Sequence, residues 1–144
     1  ETVESHIGEL RKACGDRAVL RALHYYDENA RVLEQAATIR GGDLPAFFDA
    51  VKRSGDSSWK LLQNVYARPT EEQMAMGIEL SRRFLHGDGA QRVHGGGFAG
   101  TIQAYVPLER LADYKKLMED AFGPGSCTAL MVRPEGAVMM PMEA

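Results

Sequence analysis

Gly95, Gly96 and Gly97, followed by Phe98, Ala99 and Gly100, place four glycines in six residues directly ahead of an alternating segment at 101–106. Residues without a Cβ reach positive φ and let main chain come into contact with a ligand or another loop, and successive N–H groups can converge on an anion. Phosphate or sugar oxygens are the natural targets of such a backbone cradle. The same run also suits a wide hairpin turn that uses glycine only for geometry. Both readings stand on the glycines alone.

The neighbouring side chains add little chemistry of their own. His94, immediately before the glycines, is able to hydrogen-bond an oxyanion or to tie the turn to a nearby carbonyl; the structural role is favoured, because no carboxylate partner can be assigned to it. His6, His24 and His86 lie on separate segments without ligand spacing, so no metal site is expected. Cys14 and Cys127 are too few for a disulfide framework, and Cys127 reads as a buried, reduced core thiol in a strand pattern. Ser57 and Ser58 read first as caps of a helix carrying Trp59. Acidic residues are plentiful, but none stands at motif spacing from a proton donor or acceptor. Catalytic residues are therefore unassigned.

The elements that must position the loop follow from periodicity. Val19, Leu23, Tyr26, Ala30, Leu33 and Ala37 recur at spacings of four and three and predict one apolar stripe of a long helix. Gly41 and Gly42 stop it, Asp43 caps the next, and Leu44, Phe47, Phe48 and Val51 form that helix's buried face. Residues 54–58 interrupt the pattern and are expected to open another short helix. Pro69 ends what precedes it, and Thr70 with Gln73 has the form of a capping box ahead of Met74, Ile78, Ser81 and Leu85. Residues 90–94 and 101–106 are strand-like and joined by the glycine loop, which predicts antiparallel neighbours. Pro107 starts a helix with a stripe through Leu108, Leu111, Tyr114, Leu117, Met118 and Phe122. Residues 127–132 predict a further strand and 137–140 a weaker one. Together these predict an α+β fold, a small antiparallel sheet covered by helices.

At 144 residues, 44% hydrophobic and 26% charged, the chain has the size and composition of one soluble globular domain, residues 1–144. The net charge of −3, with Lys and Arg dispersed, argues against a nucleic-acid partner. No apolar run is long enough to span a bilayer, so no membrane partner is expected and a cytoplasmic location is.

The run from Gly95 to Gly100 resembles the third signature motif of the GHMP kinases, and most closely that of their galactokinase branch. Arg21, Ala22, Leu23 and His24 with Glu28 and Asn29, then Gly41, Gly42, Asp43 and Leu44 ahead of Phe47 and Phe48, agree with that branch in order and spacing. Residues 54–58 sit where it carries a serine-containing helix junction. The likeness spans roughly residues 19–138. His94, Ala99 and Thr101 depart from the usual motif, and the methyl of Ala99 implies that close backbone approach falls to Gly95, Gly96 and Gly97.

The resemblance implies a ferredoxin-like sheet with extra N-terminal helices, and a two-domain enzyme that uses ATP and Mg²⁺ to phosphorylate a small sugar, with galactose the expected substrate. This chain would be the C-terminal domain. The N-terminal domain, with the main phosphate loop and the catalytic acid, has no counterpart in it, so the chain alone is expected to be inactive. Gly95, Gly96, Gly97 and Phe98 would form its substrate- and phosphate-binding wall, and Ser57 and Ser58 have a second possible place lining the sugar pocket. A non-catalytic sugar- or nucleotide-sensing domain on a kinase-like fold is the alternative.

Overall fold

The computed structural model describes residues 2–98, 100–132 and 134–136. After a 3₁₀ turn at Glu4–His6 come α1 (Ile7–Cys14) and the long α2 (Asp16–Arg40), separated by Gly15 at φ 82°. Gly42, at φ 72°, lets the Asp43 N–H turn back onto the Thr38 carbonyl at 2.9 Å and close α2. Asp43 then caps α3 (Leu44–Ser57), its carboxylate accepting from the Ala46 N–H at 3.0 Å. A π turn, Ser58–Leu62, follows without a break and ends at Gln63 in the left-handed region. The remaining order is α4 (Gln73–Leu85), β1 (Ala90–Val93), β2 (Ile102–Tyr105), a 3₁₀ turn at Leu108–Arg110, and α5 (Leu111–Phe122).

β1 and β2 form an antiparallel hairpin in which Ala90 faces Tyr105 and Val93 faces Ile102. Alternation along the strands sends Ala90 and Tyr105 to one face, where they meet Phe47, Phe48 and Val51 of α3. Val93 and Ile102 go to the other and pack with Val65 and with Met74 and Ile78 of α4. The hairpin is thus the middle layer between helices. Two glycines make the approach possible: a Cβ on Gly55 of α3 would lie 3.0 Å from the Arg92 Cβ, and one on Gly89 would lie 2.1 Å from the Tyr105 carbonyl oxygen. A buried Ser81–Tyr114 hydrogen bond of 2.8 Å joins α4 to α5. Among the described residues no helix is long and apolar enough to cross a membrane.

The fold is α+β, as expected, with two strands among the described residues. Several local expectations are overturned. Residues 54–57 do not interrupt α3; the small Gly55 and the fully buried Ser54 are what let it lie against β1. Thr70 and Gln73 form no capping box, because α4 starts at Gln73 with Glu72 as its N-cap and no side-chain cap bond. Only the start of the stripe along α2 turns inward: Val19 is buried and Leu23 half-buried, but Tyr26 and Leu33 are 62% and 73% exposed, while His24 is buried. Helix α5 begins after the Leu108–Arg110 turn, and Leu108 is exposed. Residues 127–132 form no strand, since no ladder partner lies beside them among the described residues; Leu130, Met131 and Val132 are about 90% exposed, and Cys127 is only half-buried. The weaker strand expected at 137–140, like Ala99, lies outside the described residues.

Candidate functional site

The glycine loop caps the β1–β2 hairpin. The His94 N–H donates to the Thr101 carbonyl at 3.0 Å and extends the ladder by one bond, after which Gly95, Gly97, Phe98 and Gly100 all take positive φ, at 59°, 73°, 58° and 88°. For Phe98 that conformation is costly, on the order of 1–2 kcal/mol, and something must hold it. Asn64, just after the π turn, does so. Its main-chain carbonyl accepts from the Phe98 N–H at 2.9 Å, and its side-chain Nδ2 donates to the Gly96 carbonyl at 3.1 Å. Asn64 is fully buried and its Oδ1 has no hydrogen-bond partner.

The three glycines are therefore not equivalent. A Cβ on Gly97 would lie 2.2 Å from the Asn64 carbonyl oxygen, so Gly97 is required by the chain's own packing. Gly95 and Gly96 are exposed, with nothing within 4 Å of where a Cβ would stand. Phe98 is 45% exposed beside them. Backbone open to an approaching group is concentrated at Gly95 and Gly96. The His94 Nδ1 lies 2.8 Å from the Gln103 side-chain oxygen across the hairpin, which agrees with the structural role.

Behind β1 lies a polar cluster that spacing did not bring together. Glu28 of α2 receives hydrogen bonds from Ser54 of α3, from Arg31, and from Arg92 of β1, the last at 3.1 Å. The Arg92 Nη1 also donates to the Ser54 hydroxyl, and its Nε to the Val93 carbonyl at 3.1 Å, next to the loop. Burial pushes the Glu28 carboxyl upward, but the hydrogen bonds from Ser54, Arg92 and Arg31 and the Arg92 charge outweigh it and hold the group below the usual carboxylate range. One turn earlier, the His24 Nδ1 lies 2.9 Å from the Ser57 hydroxyl, and burial lowers its pKa. Ser57 thus serves His24 and caps nothing, while the buried Ser58 hydroxyl is without a partner. Sequence reasoning noted Glu28 only for its place in the resemblance and gave Arg92 and Asn64 no part. The Glu28 carboxylate one turn after His24 on α2 was a usable signal; for Asn64 there was none.

Among the described residues no group of three or more His, Cys, Asp or Glu side chains is disposed to hold a metal ion. The arrangement offers a rigidly backed stretch of exposed backbone and, near it, a fully engaged carboxylate.

No protein-family model matches the chain, and no solved structure matches it. Curated proteins do. The galactokinase of Mannheimia succiniciproducens is 29% identical over 110 residues, 76% of this chain and 27% of that protein. The galactokinase of Haemophilus influenzae strain Rd is 29% identical over 105 residues, 73% of this chain and 26% of that protein. That of Pasteurella multocida is 28% identical over 102 residues, 71% and 25%. The chain therefore spans about a quarter of the length of the curated relatives it matches. Over roughly three quarters of its own length, it is homologous to galactokinases.

Proposed function

We propose that this chain is the C-terminal domain of a galactokinase-like GHMP sugar kinase, residues 1–144 forming one domain that supplies the Gly95–Gly96–Gly97–Phe98 loop to an interdomain cleft. The observation that carries the reading is the open Gly95–Gly96 backbone, anchored from beneath by Asn64, in a chain homologous to galactokinases. In a phosphoryl transfer there is little covalent chemistry for protein groups to perform, and positioning and charge stabilisation dominate. ATP would supply the transferred group and Mg²⁺ would neutralise its charge. The described residues offer no ligand set for the metal, so both are assigned mainly to the rest of the protein.

In this reading the chain's own residues do three things. Gly95 and Gly96 present main chain with no side chain in the way, so that the sugar or the partner domain's phosphate loop packs directly against it. Phe98 covers the flank of that wall and excludes water. Asn64 and the Arg92–Glu28–Ser54 cluster hold the loop and its strand in place. No general base is assigned among them, which leaves the proton transfer to the other domain.

The test is a phosphorylation screen of the full-length protein with ATP against galactose and other monosaccharides, run alongside the isolated chain. Turnover by the full-length protein and none by the isolated chain is the expected result. Turnover of galactose by the isolated chain refutes the division of labour. Binding of sugar or nucleotide by the full-length protein without turnover replaces the kinase with a sensing domain.

A further inference from the structure

At the opposite end of β1 from the glycine loop is a second feature of a different character. A depression of about 520 Å³ is lined by Lys52 of α3, by Arg82, Arg83 and His86 at the end of α4, and by Gln91 and the glycines of the turn that follows α4. α3 and α4 cover opposite faces of the hairpin and no residue of β2 contributes, so the depression runs along the edge of β1 remote from β2. No carboxylate lines it, although the chain as a whole carries a net charge of −3.

The positive charge there exceeds what is paired internally. Among the described residues neither the Lys52 ammonium nor the His86 ring has a hydrogen-bond or ion-pair partner. Arg82 and Arg83 share a single carboxylate, Glu79, which they hold at a pKa of about 2 through contacts of 2.7 Å. Nor are they needed to neutralise the carbonyl end of α4. Arg110 does that from outside, donating to the Phe84 and Leu85 carbonyls and lying 4.4 Å over the Phe84 ring. A second depression, of about 350 Å³, shares Lys52, Arg82 and Gln91 and is lined also by the Asp56 and Glu79 carboxylates, Ile78 and the 39%-exposed Trp59.

We propose that this edge of β1 is a binding site for the phosphate group of a small phosphorylated metabolite. Guanidinium forks and a lysine point charge are the groups that recognise phosphate oxygens, and here Lys52, Arg82 and Arg83 are set against one shared carboxylate, Glu79, which leaves an excess of positive charge for an anion. The adjoining depression, with Trp59 and Ile78, takes what the phosphate is attached to. A free phosphate, a nucleotide and a sugar phosphate share the recognised chemistry.

The site is testable without any enzymatic readout, so its fate and that of the kinase reading are separate. Trp59 is the only tryptophan in the chain, and its emission reports occupancy directly. The 144-residue chain is titrated at constant ionic strength with inorganic phosphate, ADP and galactose 1-phosphate, following calorimetric heat and Trp59 fluorescence, with adenosine and galactose as uncharged controls. Saturable binding of phosphorylated probes only is expected, weakened at least about tenfold in Lys52→Gln/Arg83→Gln and unaltered in Lys116→Gln on α5. Arg83→Gln alone, 71% exposed at its side chain and safe for folding, is expected to weaken binding about threefold or more. Preference for ADP or for galactose 1-phosphate upholds the site and identifies the attached group, and equal affinities uphold it for free phosphate. No saturable binding of any phosphorylated probe at millimolar concentration, or unchanged affinity in both variants, overturns it.

Discussion

Replacing Gly96 and replacing Gly97 have different expected consequences, although sequence makes the two residues look alike. Gly97 stands at φ 73° with Asn64 main chain 2.2 Å from its missing Cβ, so Gly97→Val must distort the loop. The positive φ alone costs about 1–2 kcal/mol, and the clash adds to it. A lowered thermal midpoint is expected for that variant even in the isolated chain. Gly96 has open space at the same atom, so Gly96→Val should leave stability within about 0.5 kcal/mol of the parent. In the full-length protein the same branched side chain would block the proposed wall, and a misplacement of about 1 Å costs on the order of a hundredfold in kcat/KM. Melting curves and steady-state kinetics on the same samples separate the two. Parental kinetics in Gly96→Val would remove the loop from the site. The glycine run was legible as special; that one of its glycines answers to Asn64, 33 positions away, was not, because only the folded chain brings the π turn beneath the hairpin.

At the scale of the element, α2 is where sequence and structure part company. Apolar periodicity locates a helix face but does not say which neighbour it faces. Beyond Val19 the inward face is polar: His24 meets Ser57, and Glu28 meets Ser54, Arg92 and its own helix's Arg31. Both titratable groups have lowered pKa values, and the sign of the pH dependence follows. For each, the unfolded chain takes up a proton before the folded one does, so stability is fully present above the unfolded pKa and falls as pH drops below it. Stability should therefore decline on acidification in two stages, the first beginning below about pH 6.5 from His24 and the second below about pH 4.3 from Glu28, with the exposed Glu79 adding to it in the same direction. Thermal midpoints measured from pH 8 to pH 3 test this. His24→Gln should flatten the first stage and Glu28→Gln the second, each at some cost in stability at neutral pH; an unaltered profile in either variant contradicts the assignment of that stage. The small residues of α3 teach the same lesson. Ser54 and Gly55 were read as a break because they lack apolar bulk, whereas bulk is what close packing on β1 forbids.

For the whole molecule, what α2 turns outward matters most. Tyr25, Val32 and Ile39 recur every seven residues along it, with Tyr26 and Leu33 beside them, and all five are between 53% and 73% exposed. A helical stripe of that length is more apolar than a solvent-facing surface usually carries, and such patches mark interfaces. The homology covers about a quarter of each galactokinase it matches, and in the proposed two-domain enzyme the remainder supplies a cover for this face. The isolated chain should then bind a hydrophobic dye such as ANS and self-associate at high concentration. Leu33→Ser with Tyr26→Ser should suppress both without lowering its thermal midpoint by more than about 1 kcal/mol equivalent, because neither side chain is buried within it. In the full-length protein the same pair should destabilise, and amide exchange along α2 should be slower than in the isolated chain. Equal exchange in the two, with the double variant harmless in both, would mean that the stripe faces water in the intact protein and that the cover lies elsewhere.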